Sequence, residues 1–174
     1  MFNELNMLKL FFESPSRQFN VREAARQLKI TPATVSKKLK VLAKRGILSY
    51  KKENVLDFYR ANLDNDEYRD LKVFYMIRKL KESGFIEALN RFYLKPTIVL
   101  FGSAAAGLDT ETSDIDLVVI SEKTAEFPDV KAFEEKLGRP LQIFAVNDLK
   151  DMKNPHLINN VLNGLVMQGE IRWI

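Results

Sequence analysis

The chain contains no cysteine and a single histidine, His156, among its 174 residues. Disulfide bonds, thiolate metal sites and zinc centres built from clustered histidines are therefore excluded. No apolar run reaches the ~18 residues that a membrane-spanning helix requires. The N-terminal sequence, Met1 to Glu4, lacks the basic and then apolar layout of a signal peptide. We therefore expect a soluble cytoplasmic protein without a membrane partner.

Charge is distributed unevenly along the chain. Residues 1–95 contain 20 Lys and Arg against 11 Asp and Glu, a net charge of +9. Residues 96–174 contain 7 Lys and Arg against 12 Asp and Glu, a net charge of −5. A basic half suits nucleic acid, whereas an acidic half suits a metal-bound nucleotide. The length and this asymmetry indicate two modules with different partners.

The N-terminal module has the spacing of three helices followed by a hairpin. Apolar positions recur at helical intervals in three segments, residues 2–12, 21–28 and 32–45. Asn20, with Glu23 three residues later, predicts a capped start for the second helix, and Thr31 followed by proline predicts the start of the third. Two β-prone runs follow at residues 47–50 and 55–59, and the polar stretch between them predicts a loop.

This order of elements resembles the winged helix-turn-helix superfamily over about residues 3–62. The run from Ala33 to Leu48 is similar to its recognition helices, including the closing Gly-Ile-Leu that enters the first wing strand. The resemblance implies that the third helix enters the major groove of double-stranded DNA. The residues expected to contact bases or phosphates are Thr34, Ser36, Lys37, Lys38, Lys40 and, on the wing, Lys51 and Lys52.

The charge pattern favours DNA as the partner of this module. No Asp or Glu occurs from Ile30 to Lys52, where lysines concentrate. The alternative is a solvated basic helix in a protein-interaction domain. Because winged helices often bind two half-sites, a homodimer is expected. We assign residues 1–62 to this domain and residues 63–95 to a helical connector.

The acidic half contains the most informative stretch of the sequence. Gly102-Ser103 is followed, after ten residues, by Asp114-Ile115-Asp116, and apolar runs flank both parts. Residues two apart on a strand point to the same face, so two carboxylates project side by side. Like charges so close commonly share a divalent cation. A Gly-Ser turn offers backbone N–H groups and a hydroxyl to an anion.

This pattern resembles the signature of the DNA polymerase beta-like nucleotidyltransferase superfamily, and most closely its minimal members. The resemblance implies an α/β domain with a mixed sheet over residues 96–174, so the whole chain is expected to be α+β. It implies that Gly102 and Ser103 hold ATP or another nucleoside triphosphate. It also implies that Asp114 and Asp116 hold Mg²⁺ and are catalytic. The family reaction moves a nucleotidyl group to a hydroxyl acceptor.

The expected order of elements fits such a core. The predicted strands lie at residues 97–101, 115–120, 140–146, 165–168 and 171–173. The predicted helices lie after the Gly-Ser turn and at residues 129–137, 148–152 and 155–163. In the strand at 140–146, Gln142 and Phe144 should share one face and Leu141 and Ile143 the other.

Two features depart from the family pattern. The third carboxylate of the family lies on the strand after the intervening helix, where the best match here is Gln142, a weaker ligand for Mg²⁺. The turn, where members often carry a basic residue, contains only alanines at positions 104–106. Asp109 and Glu111 precede the aspartates in a loop. Either is a candidate for a further carboxylate, but acidic side chains in loops are expected to be solvated.

Two functions stay open at this point. The first is a DNA-binding transcriptional regulator whose nucleotidyltransferase-like domain senses a nucleotide or contacts a partner protein. The second is an active Mg²⁺-dependent enzyme that moves AMP from ATP to a hydroxyl of a small molecule or partner protein. The resemblance supplies a precedent for the second, since small family members act as antitoxins that adenylylate a toxin. The missing third carboxylate and the alanine-filled turn motivate the first.

Overall fold

In a computed structural model of the chain, residues 2–172 are described, and they divide into two units at Tyr75 and Met76. The division falls within one helix, Asp66–Glu82, inside the stretch predicted to be a helical connector. Each unit contains an apolar core of its own. Within residues 2–172, no helix combines the length and the apolar character needed to cross a bilayer.

The first unit combines helices with a three-stranded antiparallel sheet. Its elements are α1 (Phe2–Glu13), β1 (Phe19–Asn20), α2 (Val21–Leu28), α3 (Pro32–Lys44), β2 (Leu48–Glu53), β3 (Leu56–Ala61) and the start of α4 (Asp66–Glu82). Strand β3 lies between β1 and β2. The sequence predicts this order of helices and the two hairpin strands, but it does not predict β1.

Helices α2 and α3 begin where their capping residues predict. The side-chain oxygen of Asn20 accepts a hydrogen bond from the backbone N–H of Glu23 at 2.9 Å. The hydroxyl of Thr31 accepts from the N–H of Thr34 at 3.4 Å, and Pro32 occupies the first helical position. Lys29 ends α2 in a left-handed conformation, φ 56°. These local signals fix a short turn between the two helices.

The hairpin is longer than predicted, and its loop is shorter. Strands β2 and β3 pair as far as Glu53 and Leu56, so only Asn54 and Val55 remain as the turn. Asn54 has φ 53°, a left-handed conformation that asparagine tolerates and that a two-residue hairpin turn requires. The predicted loop at residues 51–54 is therefore wrong, and the two lysines at its start lie on β2.

The core of the first unit is built on the predicted apolar stripe of α3. Val35, Leu39 and Leu42 are buried, and they belong to one cluster with residues of α1, α2 and the sheet. Phe11 and Phe12 are buried in the same cluster. Burial of these side chains leaves the opposite face of α3 exposed to solvent.

The second unit is built around a four-stranded mixed sheet. Its elements after α4 are α5 (Phe85–Tyr93), β4 (Thr97–Phe101), α6 (Gly102–Ala105), β5 (Ile115–Ile120), α7 (Val130–Leu137), β6 (Leu141–Val146), a 3₁₀ turn (Leu149–Asp151), α8 (Pro155–Leu162) and β7 (Leu165–Gln168). The strand order is β6-β5-β4-β7, with β5 and β6 parallel and the other pairs antiparallel. The predicted strand at 171–173 is absent at residues 171–172, and residue 173 lies outside the described residues.

Both faces of this sheet are covered, which follows from the alternation along its strands. Ile98, Leu100 and Leu117 pack in a cluster with α5 and α7. Val99, Phe101 and Val118 pack on the other side with α8 and the 3₁₀ turn. The predicted alternation along β6 is confirmed, because Leu141 and Ile143 join the first cluster and Phe144 joins the second.

Candidate functional site

The glycine of the Gly-Ser turn lies directly against one of the two predicted carboxylates. Strand β4 ends at Phe101, which pairs with Asp116 of β5, and Gly102 follows with φ 70°. A Cβ atom at position 102 would collide with Oδ2 of Asp116. The position therefore favours glycine for its left-handed backbone, and an added Cβ would also force the carboxylate of Asp116 to shift. Gly102 and Asp116 form the centre of the candidate site.

The negative charge of Asp114 acts on the carboxylate of Asp116. Asp114 is exposed immediately before β5, and Asp116 is half-buried at its start. Burial raises the pKa of Asp116, and the negative charge of Asp114 raises it further, while Arg139 opposes the shift. A divalent cation between the carboxylates would relieve this repulsion.

Gln142 occupies the place beside Asp116 on the neighbouring strand. Strands β5 and β6 are parallel, and Asp116 pairs in register with Gln142. In-register residues on adjacent strands lie about 5 Å apart and face the same side of the sheet. The amide of Gln142 is exposed. Among residues 2–172, no group of three or more Asp, Glu, His or Cys side chains could hold a metal ion.

The residues present offer two carboxylates and one amide oxygen to a cation. Oxygen donors of this kind suit hard cations such as Mg²⁺ and Mn²⁺. The absence of a side chain at position 102 allows the turn to lie close to the carboxylate of Asp116. This donor set fits one hard cation held by Asp114 and Asp116, with Gln142 beside them.

The turn that follows contributes backbone and one hydroxyl. Ser103 is half-buried, and α6 has no side-chain hydrogen bond at its cap, so Ser103 does not cap the helix. Ala104 is fully buried, whereas Ala106 is exposed. Residues 102–107 contain no cationic side chain, and any phosphate at this turn would meet N–H groups and the Ser103 hydroxyl.

The loop before the aspartates is held by a buried ion pair that sequence reasoning missed. Asp109 is only 1% exposed and pairs with Arg139, so the expectation that it is solvated is wrong. Glu111 is half-buried. Arg139 lies in the short loop between α7 and β6, 30 residues from its partner. No local pattern marks such a pair, because the fold alone brings its members together.

The predicted DNA-contacting residues lie on α3 and on the first strand of the hairpin. Lys37 and Lys40 are exposed on α3, whereas Ser36 and Lys38 are half-buried. The hydroxyl of Thr34 is hydrogen-bonded to that of Thr31 at 2.9 Å.

The two wing lysines differ in their surroundings. Lys51 and Lys52 are both exposed on β2. The ammonium group of Lys51 forms an ion pair with Glu53 at 2.7 Å. An exposed ion pair of this kind is weak.

Comparison with known proteins supports the assignment of the second unit. Residues 82–164 match the family model of the nucleotidyltransferase domain. The matched segment contains the Gly-Ser turn, both aspartates, Gln142 and Arg139. The chain therefore carries a nucleotidyltransferase-like domain.

One similar solved structure is described as a possible transcriptional regulator from Methanosarcina mazei Go1. It is 21% identical over 53% of this chain and 75% of that chain, with a TM-score of 0.37. No curated protein matches the chain significantly.

Proposed function

We propose that this protein is a DNA-binding transcriptional regulator whose nucleotidyltransferase-like domain binds a metal-bound nucleotide. The first unit is interpreted as a winged helix-turn-helix domain, with α3 as the recognition helix and the β2–β3 hairpin as the wing. The observation that carries this proposal is the exposed cationic face of α3. No acidic residue occurs between residues 30 and 52, so this face meets no opposing charge along its own segment.

The burial pattern of α3 supports its role in the major groove. Val35, Leu39 and Leu42 anchor one side in the core. Lys37, Lys40 and Lys44 are exposed. A recognition helix needs this division, because one face must be fixed by packing while the other contacts bases and phosphates. Each lysine that neutralises a phosphate releases a counterion and so makes the affinity depend on salt.

The DNA proposal is tested by removing two charges from α3. We expect the double variant Lys37→Ala/Lys40→Ala to bind double-stranded DNA more weakly than the wild type. The plot of log affinity against log salt should become less steep by about 2, since each phosphate contact contributes about 0.9 to the slope. Fluorescence anisotropy with labelled duplexes across a salt series measures both quantities.

A matched control removes two lysines from the second unit. Lys131→Ala/Lys153→Ala changes the net charge equally, and both residues are exposed. This control should keep the wild-type slope. If both double variants lower the slope equally, or if wild-type binding does not depend on salt, α3 is not the DNA-contacting surface.

The nucleotide-binding role rests on the residues around Gly102. The backbone N–H groups of the turn and the hydroxyl of Ser103 would contact the phosphates, and Asp114 and Asp116 would hold the cation. A bound Mg²⁺ would neutralise charge on the triphosphate. With Gln142 in place of a third carboxylate, the site has less capacity to activate an acceptor hydroxyl. We therefore assign it binding of a metal–nucleotide as its principal role.

The second candidate function is nucleotidyl transfer by an active enzyme. It is favoured by the close approach of Gly102 to Asp116 and by the influence of Asp114 on that carboxylate. An acceptor hydroxyl on a small molecule or partner protein would attack the α-phosphorus of ATP, lose its proton and displace pyrophosphate.

Incubation with α-labelled ATP and Mg²⁺ or Mn²⁺, for the wild type and Asp114→Asn, separates the two functions. Metal-dependent transfer of label that the variant loses would establish the enzyme. Nucleotide binding without transfer would support the regulator. Absence of nucleotide binding at millimolar concentration in calorimetry would rule out both nucleotide roles.

A further inference from the structure

Arg139 contacts the loop of residues 109–114 with every nitrogen of its guanidinium group. Its Nε donates to the carbonyl oxygen of Ser113 at 2.8 Å, and Nη2 donates to the carbonyl oxygen of Asp114 at 3.1 Å. Its Nη1 donates to Oδ2 of Asp109. One side chain therefore connects Asp109, within the loop, to the two residues that lead into β5.

Further hydrogen bonds hold the same loop. The N–H of Thr110 donates to the hydroxyl of Ser113 at 2.9 Å. The N–H of Ile115 donates to the carbonyl oxygen of Pro140, next to Arg139, at 2.9 Å. Since peptide groups are planar, holding the carbonyls of residues 113 and 114 fixes the backbone on both sides of the Asp114 Cα.

The burial of this ion pair argues that it does more than stabilise the fold. The side chains of Arg139 and Asp109 are 9% and 1% exposed. The desolvation of two charges offsets much of their attraction, and apolar residues of similar volume often stabilise as well or better. Apolar residues cannot supply a planar group whose N–H donors form hydrogen bonds to two carbonyl oxygens at once.

We propose that Arg139 and Asp109 are a positioning pair that holds Asp114 beside Asp116, so that both carboxylates reach one divalent cation. Arg139 acts on Asp114 through its backbone, and Asp109 acts by orienting the guanidinium group. This inference rests on the cation site of the proposed function. It adds two residues that touch neither the cation nor the nucleotide.

The affinity for Mn²⁺, measured by calorimetry or electron paramagnetic resonance without nucleotide, tests the inference. Arg139→Met should weaken Mn²⁺ binding about tenfold, the lower end of the loss seen when outer partners of metal ligands are removed. A purely electrostatic role predicts the opposite, because removing a nearby positive charge should tighten cation binding. Arg139→Lys keeps the positive charge but lacks the planar guanidinium group, so it should recover only part of the affinity for Mn²⁺.

A control separates positioning from loss of stability. Leu89→Ala creates a cavity at a fully buried position of α5 in the same unit. It should destabilise the fold without changing the Mn²⁺ affinity. If Arg139→Met fails to fold, Asp109→Asn provides the second variant. It preserves the shape of the side chain and should weaken Mn²⁺ binding several-fold.

The outcomes distinguish this inference from the proposed function. Wild-type protein that does not bind Mn²⁺ would overturn both the cation site and the positioning pair. Wild-type protein that binds Mn²⁺, with folded Arg139→Met or Asp109→Asn binding it equally well, would overturn the positioning pair alone. An equal loss of affinity in Leu89→Ala would also overturn it, because the effect would then follow stability.

Discussion

Replacing Gly102 with alanine perturbs the centre of the nucleotidyltransferase-like domain by a single methyl group. The new Cβ would collide with Oδ2 of Asp116, and the backbone at this position has φ 70°. Gly84 offers a matched reference in the same unit, since it has φ 78° and nothing within 4 Å of an added Cβ. Gly102→Ala and Gly84→Ala therefore introduce the same backbone strain, but only Gly102→Ala adds a collision.

The expected magnitudes follow from these two terms. Alanine in the left-handed region costs about 1–2 kcal/mol, which both variants should show as a lower free energy of unfolding. Moving the Asp116 carboxylate away from its position adds about 1 kcal/mol at position 102, the scale of a strained side-chain torsion. We therefore expect Gly102→Ala to lose about 2–3 kcal/mol and Gly84→Ala about 1–2 kcal/mol.

Urea unfolding followed by circular dichroism measures these differences, and a third variant isolates the collision. In an Asp116→Ala background, Gly102→Ala should lower the free energy of unfolding only as much as Gly84→Ala does. The reason is that the carboxylate with which the new Cβ would collide is absent. If Gly102→Ala costs the same in both backgrounds, the contact between Gly102 and Asp116 does not constrain this position.

Two further predictions concern the same carboxylate. Burial and Asp114 raise the pKa of Asp116, so ionisation of this group destabilises the folded protein, and the penalty develops as the pH rises above the ordinary aspartate value of 3.8. Without metal, Asp116→Asn should therefore unfold at a higher temperature than the wild type at pH 7. Near pH 3 the two proteins should unfold at the same temperature. The same difference in unfolding temperature at both pH values would contradict this prediction. Gln142→Glu places a third carboxylate beside Asp116 and should tighten Mn²⁺ binding about tenfold while lowering metal-free stability by about 0.2–1 kcal/mol. Calorimetry and thermal unfolding would measure the two effects, and unchanged Mn²⁺ affinity would show that Gln142 lies out of reach.

The parts of the fold that sequence predicts are those set by neighbouring residues. Asn20 and Thr31 cap helices by contacts three residues away, and the alternation of β6 follows from the pleat of a single strand. The extent of the hairpin was harder to predict, because cross-strand pairing as far as Glu53 depends on the conformation that Asn54 adopts.

The candidate site also combines features that the local sequence predicts with a feature that depends on distant residues. The turn at Gly102 and the spacing of the aspartates are local patterns, and the structure places Gly102 against Asp116. The ion pair of Asp109 with Arg139 could not be predicted, because its members are 30 residues apart, with β5 and α7 between them. Solvation of a loop acid is a general tendency, and a distant guanidinium group overrides it here.

The parallel pairing of β5 and β6 has a consequence for how this domain could change over time. It puts Gln142 in register with Asp116, so a new carboxylate at position 142 would need no movement of the backbone. Codons for glutamine and glutamate differ only in their first base. A single-base mutation would thus give the site three acidic side chains, so one substitution would separate the proposed nucleotide-binding role from a site with the full set of carboxylates.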